Sequence, residues 1–78
     1  MIEKNIQYME GKYAGERMVD KIHLTDYETL ENAVAIKQKL VDNFESQFGY
    51  NRENEPFDSN YAYNVGILDA LKKSLYEN

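Results

Sequence analysis

A long amphipathic segment occupies the middle of the chain. Its apolar residues recur every three or four positions, which places them on one face of an α-helix and predicts a helix over about 26–47. These apolar positions are Leu30, Ala33, Val34, Leu40, Val41, Phe44 and Phe48. Thr25 and Glu28 have the spacing of a capping box, in which each side chain bonds the backbone N–H of the other residue. Gly49 follows the segment and is suited to end it as a C-cap.

The C-terminal segment is apolar on more than one side. Asp58 or Ser59 is suited to cap it, and we predict a helix over about 59–76. One apolar strip would pack on the middle helix, so the other needs a second neighbour, either the N-terminal helix or another protomer. Ala62 and Gly66 are four residues apart and would let a neighbouring backbone approach closely, although a glycine without any packing role is the alternative for Gly66. The two strips are Tyr61, Val65, Leu68, Leu71 and Leu75, and Tyr63, Ile67 and Ala70.

The N-terminal segment has a weaker helical pattern. We predict a helix over about 2–20, with an apolar stripe that packs on the rest of the chain or on a partner chain. Gly11 and Gly15 each cost roughly 1 kcal/mol relative to alanine within a helix, so this helix should not be stable alone. The stripe consists of Ile2, Ile6, Met9 and Tyr13.

These three segments predict an all-α fold in a single domain over 1–78. A short N-terminal helix precedes a long antiparallel helical hairpin, whose polar loop carries Tyr50 and Phe57 as aromatic anchors. A chain of 78 residues buries a thin core, and without cysteine no disulfide reinforces it. We therefore expect a homo-oligomer.

The composition narrows the classes of partner. A net charge of −5 argues against polymeric nucleic acid, whose binding requires a basic surface. An acidic surface can mimic nucleic acid or simply keep a small protein in solution, and the modest charge favours the second. The sequence has no secretory signal and no apolar run near the roughly 20 residues that cross a bilayer. We expect a cytoplasmic protein that does not engage membranes.

Recognisable catalytic motifs are absent from the sequence. It contains no phosphate-binding glycine loop, dinucleotide fingerprint, zinc-protease motif or nucleophile elbow. His23 is the only histidine, and with no cysteine a zinc site would need carboxylates around a single imidazole. We therefore expect no catalytic residue, no metal, no cofactor and no enzymatic activity.

Lys37 is the strongest candidate for a binding residue. It lies between Val34 and Leu40 on the apolar face of the middle helix, so its stem starts on packed surface. Lysines in such positions commonly extend along apolar surface until the ammonium reaches water. Alternatively, the ammonium meets a phosphate or carboxylate in a partly buried pocket, where desolvation strengthens the contact. Further cations that could join such a site are Lys12, Arg17, Lys21 and Arg52.

Two stretches of the chain resemble a phage family. Leu24 and Thr25, followed by acidic residues and a long helix containing Lys37, are similar to the first hairpin helix of the phage anti-CBASS sponge proteins. The stretch YAYNVGILDALK, which ends at Lys72, resembles the last helix of that family, where an aromatic residue is followed by a glycine, aliphatic residues and a basic residue. These small α-helical proteins sequester the cyclic nucleotide messengers of bacterial defence.

The resemblance implies a homo-oligomer that binds cyclic di- or trinucleotides between protomers and does not turn them over. Lys37 matches the lysine that contacts phosphate in the family, and Lys72 falls at the basic position of the last helix. The family has a tyrosine just before the hairpin, where this chain has the segment beginning at Lys21. The stacking ring would then come from Tyr8 or Tyr13, and Lys21 would add a cation. For a phage-encoded chain, the location would be the host cytoplasm.

Two other functions remain open. An acidic inhibitor or assembly factor would dock on a host or phage protein through Tyr63, Ile67 and the acidic loop after Gly49. A plain structural oligomer without any ligand is also compatible with the sequence.

Overall fold

Three α-helices account for most of the computed structural model, which describes residues 1–22 and 27–77. A 3₁₀ turn at Ile2–Lys4 precedes α1 (Ile6–Ile22), α2 (Tyr27–Phe48) and α3 (Ser59–Glu77). No strand occurs among the described residues, and the prediction of an all-α fold is confirmed. The predicted capping box that begins at Thr25 falls outside the described residues. Within those residues, no helix has the length and apolarity that a membrane span requires.

The start of α1 differs from the prediction. We expected a helix from about residue 2, but Asn5 is extended, with ψ of 137°, and separates the 3₁₀ turn from α1. The Asn5 side chain accepts hydrogen bonds from the backbone N–H groups of Gln7 at 2.8 Å and Tyr8 at 3.2 Å. Asn5 therefore acts as the N-cap of α1, because its amide oxygen satisfies donors that the first helical turn leaves without a partner.

The other predicted helix ends are present where the structure describes them. The Asp58 carboxylate accepts a hydrogen bond from the Tyr61 N–H at 2.9 Å and so caps α3. Gly49 ends α2 with a φ of +70°, and its N–H donates to the carbonyl of Glu45 at 3.0 Å. Local side-chain and backbone chemistry thus decides both of these ends.

The core is centred on α3. Both α1 and α2 pack on this helix, with the more extensive contact on the α1 side, whereas α1 and α2 barely touch each other. The α1 helix is therefore the second neighbour that the extra apolar strip of α3 required. The buried residues of α3 are Tyr61, Ala62, Val65, Gly66, Ile67, Leu68, Ala70, Leu71 and Leu75.

Glycines bring the backbones of α1 and α3 together. A Cβ on Gly11 would clash with the carbonyl oxygen of Tyr63, and a Cβ on Gly66 would clash with that of Tyr8. A Cβ on Gly15 would lie 2.8 Å from the Cβ of Ala70. Because only glycine leaves room for this approach, the α1 glycines that weaken the isolated helix are the residues that let it dock.

The apolar stripe predicted for the N-terminal helix does not pack on the rest of the chain. Ile2 is buried, but Ile6, Met9 and Tyr13 are exposed, and Tyr13 keeps 62% of its surface accessible. The buried residues of α1 lie on the other face, around Gly11. Of the two predicted alternatives, packing of this stripe on the rest of the chain was wrong, because α1 docks through the small residues on its other face. Packing of the stripe on a partner chain stays a prediction.

The N-terminal turn and the loop after α2 cover a third side of α3. The N–H of Ile2 donates to the carbonyl of Arg52 at 3.1 Å, and the Ile2 side chain is fully buried. Tyr50 and Phe57 pack against the core, as the sequence predicted for aromatic anchors of this loop. The loop is thus tied both to the N-terminus and to α3.

Candidate ligand-binding site

Lys37 projects from α2 towards α3. Its Nζ donates a hydrogen bond to Oδ1 of Asn64 at 2.9 Å, and the side chain is half-buried. The amide nitrogen of Asn64 donates in turn to the carbonyl of Asn60 at 2.8 Å, which orients the amide oxygen towards Lys37. Because this partner is a neutral amide, it orients the ammonium without cancelling its positive charge.

Tyr8 lies in the core and does not present its ring for stacking. Only 6% of its surface is exposed, and its hydroxyl donates to Oδ2 of Asp69 at 2.7 Å. Burial, reinforced by this hydrogen bond and the negative charge of Asp69, raises the pKa of the Tyr8 phenol well above its ordinary value. Of the two tyrosines proposed to stack on a base, the structure leaves only Tyr13 accessible.

Asp69 is the centre of a polar cluster that joins three parts of the chain. Arg52 in the loop donates two hydrogen bonds to its carboxylate, at 2.9 and 2.7 Å, and Tyr8 of α1 donates a third. Burial alone would raise the pKa of Asp69, but the hydrogen bonds from Arg52 and Tyr8 hold it below its usual value. Arg52 is therefore committed to an internal ion pair and is not free for a ligand.

Lys72 lies near the same carboxylate. Its positive charge contributes to the lowered pKa of Asp69, and its side chain is half-buried on α3. Lys72 and Tyr8 thus share a neighbourhood, but the neighbourhood already contains an anion. A further phosphate there would face the charge of Asp69, which makes this cluster a poor anion site.

Tyr13, Arg17 and Lys21 form an exposed row along α1. They are spaced four residues apart, so their side chains follow one another on one side of the helix. The guanidinium carbon of Arg17 lies 5.3 Å from the centre of the Tyr13 ring, which is a cation–π contact. A shallow depression of about 270 Å³ adjoins the row and is lined by Ala14, Arg17, Met18 and Lys21.

The predicted ligand residues are therefore distributed over several places. Tyr13 and Lys21 share the exposed row of α1, Tyr8 and Lys72 lie by Asp69, and Lys37 contacts α3 from α2. The first of these places combines an accessible aromatic face with two cations. We take this row, Tyr13, Arg17 and Lys21, as the candidate ligand-binding site.

The Arg52–Asp69 pair was missed by reasoning from the sequence. Asp69 stands between Leu68 and Ala70, within a helix that is apolar over more than one face. A carboxylate in that setting requires a partner, because an unpaired buried charge is costly. This signal was present in the sequence, but it does not say which of the cations is the partner.

Among the residues that the structure describes, no three histidine, cysteine, aspartate or glutamate residues form a group that could hold a metal ion. His23 falls outside the described residues.

Comparisons with protein-family models, curated proteins and solved structures gave no match to this chain.

Proposed function

We propose that this protein is a non-enzymatic binding protein that sequesters cyclic oligonucleotides. The observation that carries the proposal is the row on α1, where the exposed ring of Tyr13 adjoins Arg17 and Lys21. A cyclic oligonucleotide presents flat bases and phosphates within a small molecule. An aromatic face can stack on a base, and a guanidinium can bind a phosphate through two parallel hydrogen bonds.

The charge distribution favours a small anion over a polymer. The chain carries a net charge of −5, so a long nucleic acid laid across it would meet repulsion outside the α1 row. A cyclic di- or trinucleotide is small enough to contact Tyr13, Arg17 and Lys21 without lying across the acidic residues beside them, which are Glu10, Glu16 and Asp20. The proposal therefore excludes polymeric nucleic acid and requires no membrane, cofactor or metal.

Lys37 supports the proposal as a second, separate source of positive charge. Its ammonium is held by the neutral Asn64 amide, so the charge remains available to a phosphate. In a homo-oligomer with ligands bound between protomers, Lys37 of one protomer and the α1 row of another would approach the same ligand. The antiparallel hairpin arrangement and action in the cytoplasm, that of a host cell if the chain is phage-encoded, belong to this proposal.

Calorimetric titration of the protein with a panel of cyclic di- and trinucleotides tests the proposal. We expect at least one ligand to bind and to be recovered chemically intact after heating releases it. Arg17→Ala should weaken that binding at least about tenfold, which corresponds to roughly 1.4 kcal/mol. Lys39→Ala is the matched control, because it removes an exposed cation from α2 and should leave the affinity unchanged.

Two results would contradict this function. Absence of binding across the whole panel would exclude cyclic oligonucleotide capture. Equal weakening by Arg17→Ala and Lys39→Ala would show a general effect of charge and would remove the α1 row from the site. Lys37→Ala tests the role of Lys37 separately. An unchanged affinity would exclude Lys37 from the ligand site and would leave the α1 row in it.

A protein-binding inhibitor or assembly factor is the second candidate function. Of the surface first considered for it, Ile67 is only 4% exposed and cannot contact a partner, whereas Tyr63 keeps 37% of its surface accessible. The exposed residues Ile6 and Met9 on α1 favour this candidate instead, since a partner protein would bury them. In a pull-down from host lysate, one stoichiometric protein that Met9→Glu releases would favour this candidate over ligand capture.

A further inference from the structure

One side of α2 is free of charge over four helical turns. Four of the residues on this side are apolar, two carry amide side chains, and none of them is charged. Ile36 keeps 69% of its surface accessible and Leu40 keeps 37%, although both are large aliphatic residues. We call this side the uncharged face of α2, and it comprises Ala33, Ile36, Leu40, Asn43, Phe44 and Gln47.

The spacing of the uncharged face suits another helix. Its positions 33, 36, 40, 43 and 47 are separated by three and four residues in alternation, which is the repeat of a helix–helix seam. Between Leu40, Phe44 and Phe48 lies a shallow depression of about 200 Å³, also lined by Asn43 and Gln47. Ile36, which projects from the same face one turn before Leu40, has the shape of a knob for such a depression.

The distribution of charge on the chain favours a second copy of this chain as the partner that covers the uncharged face. An interface with two-fold symmetry sets the same patch of both copies against each other, so any net charge on the patch repels itself. With a net charge of −5, this chain would meet that repulsion over most of its surface. The exposed apolar residues of α1, for example, lie beside Glu10, Glu16 and Asp20, whereas the uncharged face of α2 has no charge within it and is bordered by the two lysines Lys37 and Lys39.

We infer that this protein self-associates as a two-fold dimer through the uncharged face of α2, with the two α2 helices antiparallel. An axis near Leu40 sets Ile36 of one protomer opposite Phe44 of its partner, so each Ile36 enters the depression of the other copy. A small chain with a thin core gains buried apolar surface in this way.

Self-association through α2 does not depend on the proposed ligand, so the test uses the full chain without any nucleotide. Light scattering coupled to size-exclusion chromatography, over a series of concentrations, should show a dimer of the wild-type chain. Ile36→Glu should weaken the association by roughly a hundredfold or more, because it places an unpaired carboxylate in the seam of each copy. Circular dichroism should show unchanged helicity, since Ile36 is largely exposed in the protomer.

Ile6→Glu is the matched control. Ile6 is 64% exposed and lies in the first turn of α1, so this variant carries the same chemical change at similar exposure on the other apolar surface. It should leave the dimer intact. A wild-type monomer at all concentrations, an Ile36→Glu dimer of undiminished affinity, or dissociation by Ile6→Glu alone would each overturn the assignment. A wild-type monomer would also exclude a ligand bound between protomers, but the calorimetric test of ligand capture rests on Arg17 and can succeed or fail separately.

Discussion

The two helices that pack on α3 do so by different means. On the α1 side, glycines allow backbone to meet backbone, with Gly66 against the carbonyl of Tyr8 and Gly11 against that of Tyr63. On the α2 side, large side chains fill the space, among them the fully buried Leu68 and Val41. The first contact therefore depends on the absence of side-chain atoms, and the second depends on their presence.

This difference explains why apolar residues on α1 remain outside. The face of α1 that docks carries glycines at the points of closest approach, with Tyr8, Met18 and Val19 packed around them, and its other large residues lie on the opposite face. A helix that docks through large side chains has to direct them inwards, as α2 does with Leu30, Val34 and Val41. A stripe of hydrophobic residues thus identifies the packed face of α2 but not that of α1.

Adding side-chain atoms where α1 packs on α3 should have the largest effect on the free energy of unfolding. Gly66→Val would place a branched side chain where backbone atoms of Tyr8 and Lys12 already lie, and a backbone cannot move aside as a side chain can. We expect a loss of about 4 kcal/mol or more in the free energy of unfolding, above the usual range for overpacking. Chemical denaturation followed by circular dichroism measures this loss.

Gly49→Ala is the control for that substitution. Gly49 has a positive φ but no neighbouring atoms within 4 Å, so alanine there meets backbone strain without a clash. Its cost should be roughly 1 kcal/mol. Equal losses for the two variants would show that close packing of α1 on α3 is not what makes Gly66 necessary.

Removing side-chain atoms where α2 packs on α3 should have the next largest effect on the free energy of unfolding. Leu68 is 1% exposed, and Leu68→Ala leaves a cavity that the surrounding side chains fill only in part. We expect a loss of about 3 kcal/mol in the free energy of unfolding, measured by the same denaturation. A loss well below about 1 kcal/mol would mean that the core around α2 rearranges freely, and the contrast between the two contacts would fail.

The polar cluster that links α1, α3 and the loop should have the smallest effect, and it should depend on pH. Asp69→Asn removes one charge of a half-buried pair, for which we expect a loss of about 1–2 kcal/mol at neutral pH. In the folded wild type the pKa of Asp69 lies below the ordinary pKa of an aspartate in an unfolded chain, which is about 3.9. The stabilising contribution of the charged Asp69 is therefore complete at pH values above the unfolded pKa and is lost as the pH falls through the folded pKa.

Denaturation of wild type and Asp69→Asn over a pH series measures this dependence. The difference in unfolding free energy between them should be constant near neutral pH and shrink below about pH 4. A difference that grows on acidification would contradict a lowered pKa for Asp69. Asp42→Asn, an exposed carboxylate on α2, is the control and should show little of this dependence.

The sequence predicted which types of residue form the candidate site better than it predicted where those residues lie relative to one another. Lys21 and Tyr13 were expected to contribute to a ligand site, and both lie with Arg17 on one exposed row. Tyr8 was an equal choice for the stacking ring, but it is buried against Asp69. Nothing in the spacing of Tyr8 and Tyr13 distinguishes them, because the side of α1 that docks was not known.

Local chemistry in the sequence determined the helices. Periodic apolar residues, the Asp58 cap and the Gly49 C-cap predicted where α2 and α3 lie, and the apolar strips of α3 predicted its need for two neighbours. These features act over a few residues or within one helix. They therefore require no knowledge of the rest of the chain.

Only the tertiary structure decided how α1 docks and which cation pairs with Asp69. Hydrophobic periodicity measures side-chain area, whereas α1 and α3 meet through backbone surfaces whose fit depends on both helices together. Arg52 reaches Asp69 across 17 residues of sequence because the loop folds back over α3. Such contacts join distant segments, and their geometry exists only once the helices have packed.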